Sequence, residues 1–302
     1  MVCKAVTDVD DELRPLLFSI AYRMLGSVAE AEDVVQEAYV RRASSGPVEN
    51  ERAFMTTVTS RLAIDVLRSA RVRRESYVGE WLPEPLVEAE APAVVETDES
   101  ISLAMLVLLE RLNPVERAVF VLRESFDVDF AQVAAIVDRS EDNCRQILSR
   151  ARRRVADERP RFDADPAERR ALASRFIAAA REGDLAGLVA MLAPDAVLVG
   201  DGGGIARSIP APMHGAAAIA RAMVTFYGQV DALGIGFEAV WVNGQPGFRT
   251  FDPQGRVVNV VQLQIVDGRV ESIFSMLNPE KLGHLGETSE LGLRPSRVGR
   301  RR

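Results

Sequence analysis

An aspartate followed by three glycines, Asp201-Gly202-Gly203-Gly204 in "VGDGGGIARS", ends a short apolar run of β character. An acid at a strand end, beside backbone free to turn, is raw material for a phosphate cradle, a metal loop or a catalytic turn. A phosphate-binding loop needs Gly-Lys-Ser/Thr opening a helix, so that N–H groups and a lysine surround the phosphates. Ile205-Ala206-Arg207 follows instead, and those mechanics are missing. The chain has two histidines, His214 and His284, and two cysteines, Cys3 and Cys144, far apart and at no usual zinc spacing. Neither a metal site nor a disulfide framework is expected, and no cofactor is implied. His214, in "APMHGAAAI" just before a helix, reads as a turn residue or cap, and no motif positions a second acid beside Asp201. Catalytic residues are therefore expected to be absent.

The sharper chemistry is basic. In "FAQVAAIVDRSEDNCRQILSRARRRV", Phe130, Val133, Ala134 and Val137 make a short apolar helix and "DRS" a tight turn. Ser140 can cap the next helix, with Glu141 and Asp142 in its first turn. There Cys144, Ile147, Leu148, Ala151 and Val155 form one apolar stripe. Asn143, Arg145, Gln146, Ser149, Arg150 and Arg153 fall on other faces. Asn and Gln can bond adenine edges, Arg guanine, and Ser or further Arg can hold phosphates, so the pair reads as a DNA-binding helix-turn-helix. The competing reading is a solvated arginine face; five arginines within residues 145–154, directly after a correctly spaced turn, weigh against it. A second basic helix, "SRLAIDVLRSARVRRES", carries Arg61, Arg68, Arg71, Arg73 and Arg74. Two different DNA-contacting units in one chain suggest two sites on one promoter.

The elements that must hold these residues follow from periodicity. At 302 residues, 47% hydrophobic and 27% charged, the chain has the composition of a soluble protein of two or three domains. No run of about 18 apolar residues and no basic-then-apolar leader occurs, so no membrane association and a cytoplasmic location are expected. Leu13, Leu16, Leu17, Ile20, Ala21 and Met24 repeat at helical spacing before Gly26. A second helix opens on Ser27, and a third runs from about Phe54 to Glu75 after the breaker-rich "SSGPVEN"; residues 8–78 read as one helical domain. From Glu75 to Glu110 there are nine acids and no Lys or Arg, with a proline-rich linker over 79–97. Helical spacing resumes over 98–160. Then two helices precede the strands "AVLVG", "FEAVWVNG", "GFRTFD", "RVVNVVQLQIVDG" and "RVESIFSML", an α+β domain over 165–287, and 288–302 reads as a basic disordered tail.

"AYRMLGSVAEAEDVVQEAYVR", "LNPVERAVFVLRE" and "DFAQVAAIVDRSEDNCRQILSRARRR", in that order, resemble regions 2 and 4 of extracytoplasmic-function (ECF) sigma factors. "YVGEWLPEP" and the α+β domain resemble the branch of that class fused to a SnoaL-like, cystatin-like cone. The resemblance implies two all-α sigma domains, a helical bundle and a helix-turn-helix, followed by a cone of curved sheet around a long helix. It further implies that Asp33, Gln36, Glu37 and Arg41 dock on core RNA polymerase, and that Arg61, Arg68, Arg71, Arg73 and Arg74 serve the melted minus-10 element of promoter DNA. Ser140, Asn143, Arg145, Gln146, Ser149, Arg150 and Arg153 would read the minus-35 element as duplex.

The protein would be a monomer when free. It would perform no covalent chemistry, and its own C-terminal domain would modulate it through intramolecular contacts. Trp81, Leu82 and Pro83 in the linker would latch onto that domain. The related "DGGGK" and "NPDKL" segments correspond here to Asp201, Gly202, Gly203 and Gly204 and to Asn278, Pro279 and Lys281 in "NPEKL". The lysine after the glycines is replaced by Ile205, so a role for that cation is either lost or passed to Arg207. Two alternatives remain open at this point. One is a ligand-sensing helix-turn-helix regulator that works without polymerase. The other is a SnoaL-like enzyme tethered to DNA-binding domains.

Overall fold

The computed structural model describes residues 2–88, 102–156, 165–228 and 230–294. The chain divides into two compact units, Met1–Ser76 with Met105–Arg159, and Tyr77–Ala104 with Pro160–Arg302. The two helical regions thus share one unit. The stretch from Tyr77 to Ala104, which holds the expected linker, groups with the C-terminal sheet.

In the helical unit, α1 (Val2–Leu25), α2 (Val28–Ala43) and α3 (Glu51–Glu75) pack on one another. Each end has a local cause. Gly26 takes φ +68° and returns its N–H to the Tyr22 carbonyl, closing α1. Ser27 then caps α2 by accepting the Glu30 N–H at 3.2 Å. Asn50 accepts the Ala53 N–H at 3.0 Å, which starts α3 at Glu51, a turn earlier than its apolar pattern indicates. Leu17, Ile20, Met24, Val35, Ala38, Met55 and Ala63 are buried where these helices meet.

α4 (Leu103–Leu109) lies at the boundary of the units. α5 (Pro114–Glu124) begins with a capping box between Asn113 and Glu116 and with Pro114 at its first position. α6 (Phe130–Val137) and α7 (Glu141–Ala156) pack against α5 and each other, and α1 and α3 also touch α5.

In the other unit, α8 (Pro166–Glu182), α9 (Leu185–Met191) and α10 (Ala216–Tyr227) lie against a seven-stranded sheet. Its strands are β1 (Val87–Glu88), β2 (Leu192–Asp201), β3 (Met213–His214), β4 (Gly236–Val242), β5 (Gln245–Phe251), β6 (Val257–Val266) and β7 (Arg269–Met276). The order is β1-β4-β5-β6-β7-β2-β3, antiparallel except for the parallel β2–β7 pair. Phe176, Leu188, Ile219, Met223, Phe248, Leu263 and Ile273 form the core between helices and sheet. This is the expected α+β architecture with two short strands added, β1 and β3. β1 comes from the linker and pairs with Trp241 and Val242 of β4.

The C-terminal stretch also differs from expectation up to its last described residue, Arg294. Thr288 bridges Val257, Leu293 bridges Ala206, and the Arg294 N–H donates to the Ile205 carbonyl at 2.8 Å. The Ser289 hydroxyl donates to Asp252 at 2.6 Å. Residues 288–294 are therefore stitched to the sheet because these backbone and side-chain partners satisfy them there; 295–302 lie outside the described residues.

Candidate functional site

In the helix-turn-helix, Asp129 caps α6 by accepting the Gln132 N–H at 2.7 Å, and Asp138 closes it in the left-handed region at φ +53°. Ser140 then accepts the Asn143 N–H at 3.2 Å and starts α7. Cys144, Ile147, Leu148, Ala151 and Val155 are buried, as the stripe predicts. Burial pushes the Cys144 thiol above its ordinary pKa, which keeps it an inert packing group. Ser140, Arg145, Gln146, Ser149, Arg150 and Arg153 are exposed, and Asn143 is half-buried.

The arginines differ in their present partners. Arg145 pairs with Glu141 at 2.9 Å and Asp142 at 3.0 Å, and its guanidinium lies 4.8 Å from the Phe130 ring centroid. Arg152 pairs with Glu124 and Arg154 with Glu116, which ties α7 to α5. On α3, Arg61 is exposed, yet it donates to the Ala135 carbonyl of α6 at 2.7 Å. Gln132 donates to the Ala53 carbonyl at 2.9 Å beside it. Arg68 is exposed and pairs with Asp65 at 3.0 Å. The side chains of Arg71, Arg73 and Arg74 lie outside the described ones. On α2, Asp33, Gln36, Glu37 and Arg41 are all exposed on one side together with Val40, and Glu37 pairs with Arg41 at 2.9 Å.

Asp201 is the centre of the second constellation. Its side chain is fully buried and all its acceptor capacity is used. One carboxylate oxygen accepts the Tyr77 hydroxyl at 2.5 Å and the Gly203 N–H at 3.0 Å. The other accepts the Leu82 N–H at 2.9 Å and the Lys281 ammonium at 2.6 Å. Lys281 also donates to the Leu82 carbonyl, and its Nζ sits 4.1 Å from the Trp81 ring centroid and 4.9 Å from that of Tyr77. Asn278 donates to the Tyr77 oxygen at 2.9 Å and caps the 3-10 turn Pro279–Lys281 through the Glu280 N–H.

Burial, and then the neighbouring Asp201 carboxylate, push the Tyr77 phenol well above its ordinary pKa, so it stays a donor. Leu82 and Pro83 are buried, and farther along the linker Leu86 exchanges two hydrogen bonds with Asn243, each at 2.9 Å. The cluster is a clasp that fastens residues 77–88, where the expected region 2 span passes into the linker, to the sheet.

The glycines have a geometric reason in this clasp. Gly203 and Gly204 adopt φ +58° and +74°. A Cβ on Gly203 would stand 2.4 Å from Asn278 Nδ2, and one on Gly204 2.9 Å from Val78 Cβ. A Cβ on Gly202 would stand 2.6 Å from the Ala206 carbonyl oxygen. The partner cation of Asp201 is Lys281; Ile205 holds the position of the missing lysine, and Arg207 is exposed and lines a cavity between α10 and the sheet. Sequence reasoning missed Tyr77, Asn243 and His284, whose Nε2 lies 2.8 Å from the Pro85 carbonyl. Tyr77 stands four residues before Trp81 in the same aromatic-proline stretch, the one available signal; nothing local marks the other two.

On the opposite face of the strand that carries Asp201, Gly200 lines a cavity of about 160 Å³ between α10 and the sheet. Its wall is largely apolar, with Leu198, Met223, Tyr227 and Ile235, and no carboxylate, imidazole or thiol is among its described lining residues. Neither Asp201 nor His214 reaches it, and His214 is exposed on β3 rather than capping α10.

Models of Sigma-70 region 2, Sigma-70 region 4 and a SnoaL-like domain match residues 10–73, 102–155 and 173–273. The ECF RNA polymerase sigma factor SigJ of Mycobacterium tuberculosis is 38% identical over 288 residues, covering 90% of this chain and 91% of that one. The probable ECF RNA polymerase sigma factor SigI of the same species is 34% identical over 289 residues, covering 92% and 94%. The crystal structure of SigJ superposes with a TM-score of 0.72 at 32% identity, over 92% of this chain and 98% of that one. No helix among the described residues is long and apolar enough to cross a membrane. With the exposed helix-turn-helix, the second basic helix and the clasped linker each falling within a matched stretch or the segment joining two of them, the chain belongs to the ECF RNA polymerase sigma factors that carry a C-terminal SnoaL-like domain.

Proposed function

We propose that this sigma factor binds core RNA polymerase through the exposed face of α2, and that its C-terminal domain modulates initiation by holding the linker in the Asp201 clasp. The observation that carries the reading is the fully satisfied buried pair of Asp201 and Lys281, which grips the Leu82 backbone on both its N–H and its carbonyl. A linker held this way has its path fixed, and a linker released from it does not. Residues 79–97 stand as the linker between a region 2 domain, 8–78, and a region 4 domain, 98–160.

Ser140, Asn143, Arg145, Gln146, Ser149, Arg150 and Arg153 face the minus-35 duplex in this reading. Arg145 must exchange Glu141 and Asp142 for DNA. Arg61, Arg68, Arg71, Arg73 and Arg74 follow the opened minus-10 strand, which requires Arg61 to leave the Ala135 carbonyl. Asp33, Gln36, Glu37 and Arg41 supply a charged surface suited to a polymerase helix. The chain works in the cytoplasm, as a monomer until it meets polymerase, and its role is binding rather than turnover. Among its described lining residues the cavity offers no carboxylate or imidazole, and burial raises the Tyr227 phenol well above its ordinary pKa.

The test is transcription in vitro with core polymerase and a promoter library randomised in both elements, comparing the full chain with its Asp201→Asn, Lys281→Met and Trp81→Ala variants. Core-dependent initiation whose yield changes several-fold in the variants is expected. Unchanged yield in all three overturns the regulatory clasp, and absence of core-dependent initiation overturns the assignment of the DNA-facing residues.

A further inference from the structure

The cavity beside the clasp has two features that an ordinary packing defect lacks. The Ser208 hydroxyl in its wall is buried with no hydrogen-bond partner among the described residues. A buried hydroxyl without a partner keeps its full desolvation penalty and calls for an explanation. Gly200 lets that hydroxyl approach, because a Cβ there would stand 2.3 Å from Ser208 Oγ. The other polar pair in the wall, Asn259 and Ser275, is already mutually bonded at 3.1 Å. What remains is a largely apolar chamber in which the Ser208 hydroxyl is the buried polar group without a partner, with the exposed Arg207 and the Thr250 and Tyr227 side chains also in its wall. Its volume is close to that of a cavity of about 150 Å³ known to take up benzene.

The second feature is its position in the strands. Gly200 lines the cavity and the next residue, Asp201, is the centre of the clasp; Leu277 lines the cavity and the next residue, Asn278, is in the clasp. The Leu277 and Asn278 N–H groups both donate to the Asp201 carbonyl, at 2.8 and 3.1 Å. Cavity wall and clasp are thus alternate faces of the same two chain ends.

We propose that the cavity binds a compact apolar molecule, the size of a substituted benzene ring and bearing one hydroxyl or carbonyl group that bonds Ser208, and that its occupancy tightens the clasp on residues 77–88. Packing against Gly200 and Leu277 restrains the chain ends that present Asp201 and Asn278. The regulatory consequence rests on the function proposed above, whereas the binding and its effect on the linker do not.

Full-length protein is titrated with p-cresol, and with toluene as the same shape without the hydroxyl, by calorimetry and NMR. Hydrogen exchange of the peptide spanning 77–88 is followed with and without p-cresol. Both compounds bind in the expected outcome, and Ser208→Ala weakens p-cresol about three- to tenfold while leaving toluene unchanged. Val258→Phe, which fills the chamber at a half-buried position, weakens both. At p-cresol concentrations about tenfold above Kd, exchange of the Leu82 amide slows by up to about tenfold, because opening the clasp then requires emptying the cavity.

Failure of both compounds to bind, or an equal effect of Ser208→Ala on both, overturns the site. Binding without any change in exchange over 77–88 overturns the coupling. Clasp variants that leave transcription unchanged would remove the regulatory reading while these binding and exchange results stand.

Discussion

Were Asp201 replaced by Asn, Lys281 would keep its charge in a site where its side chain is 8% exposed and its partner's is not exposed at all. Breaking one half of such a pair costs about 3–5 kcal/mol, because the remaining ion is desolvated without compensation. Asp201→Asn and Lys281→Met should each open the clasp, and the double variant should lose less than the sum of the two, a coupling readable in a double-mutant cycle on thermal unfolding. Tyr77→Phe removes a donor to Asp201 and an acceptor for Asn278, and should cost about 1–3 kcal/mol by the same measurement.

Turns and helices show the same logic at the next scale. Gly203 and Gly255 both hold positive φ, +58° and +79°, but only at Gly203 would a Cβ meet the clasp, since nothing lies within 4 Å of one on Gly255. Gly255→Ala should therefore carry only the backbone penalty of about 1 kcal/mol. Gly203→Ala should exceed it and speed hydrogen exchange over 77–88.

The β5–β6 turn adds a pH dependence. Burial alone would raise the Asp252 pKa, but the Ser289 hydroxyl, the Arg256 N–H and guanidinium and the Gln254 N–H together bring it down to about 2. A carboxylate whose pKa is depressed on folding stabilises the fold above its unfolded value of about 4, and that contribution disappears as pH falls from about 4 through 2. Acid titration should free the 288–294 segment in that window, and Asp252→Asn should abolish that step. In α7, Arg150 is exposed and Arg152 is held by Glu124. Arg150→Ala should reduce promoter affinity of the polymerase complex and its salt slope by about one, leaving the melting temperature unchanged.

The chain as a whole carries a net charge of -7, which by itself would repel nucleic acid. The relevant quantity is distribution: arginines cluster on α3 and α7, while acids dominate the stretch from Glu75 to Glu110. Promoter binding by the assembled polymerase complex should therefore fall steeply with added salt, and the clasp, a buried pair shielded from ions, should not. Measuring promoter affinity and exchange over 77–88 across one salt series checks both expectations.

Local patterning made most of the molecule legible in the sequence. Period-3.6 stripes, Ser and Asn caps and left-handed Gly or Asp positions act within a few residues, so α2, α3, α6, α7 and the main strands follow from the chain directly. The family was legible for the same reason, because its motifs are contiguous. What the tertiary structure alone decided is which distant groups meet. Asp201 and Lys281 are 80 residues apart, and Tyr77 and Asn278 are 201 apart. Nothing in local propensity couples such pairs; the parallel β2–β7 register brings the two chain ends together. That register made an apparent catalytic loop the anchor of the clasp, and pairing of β1 with β4 made residues 87 and 88 of the acidic, proline-rich stretch a sheet edge.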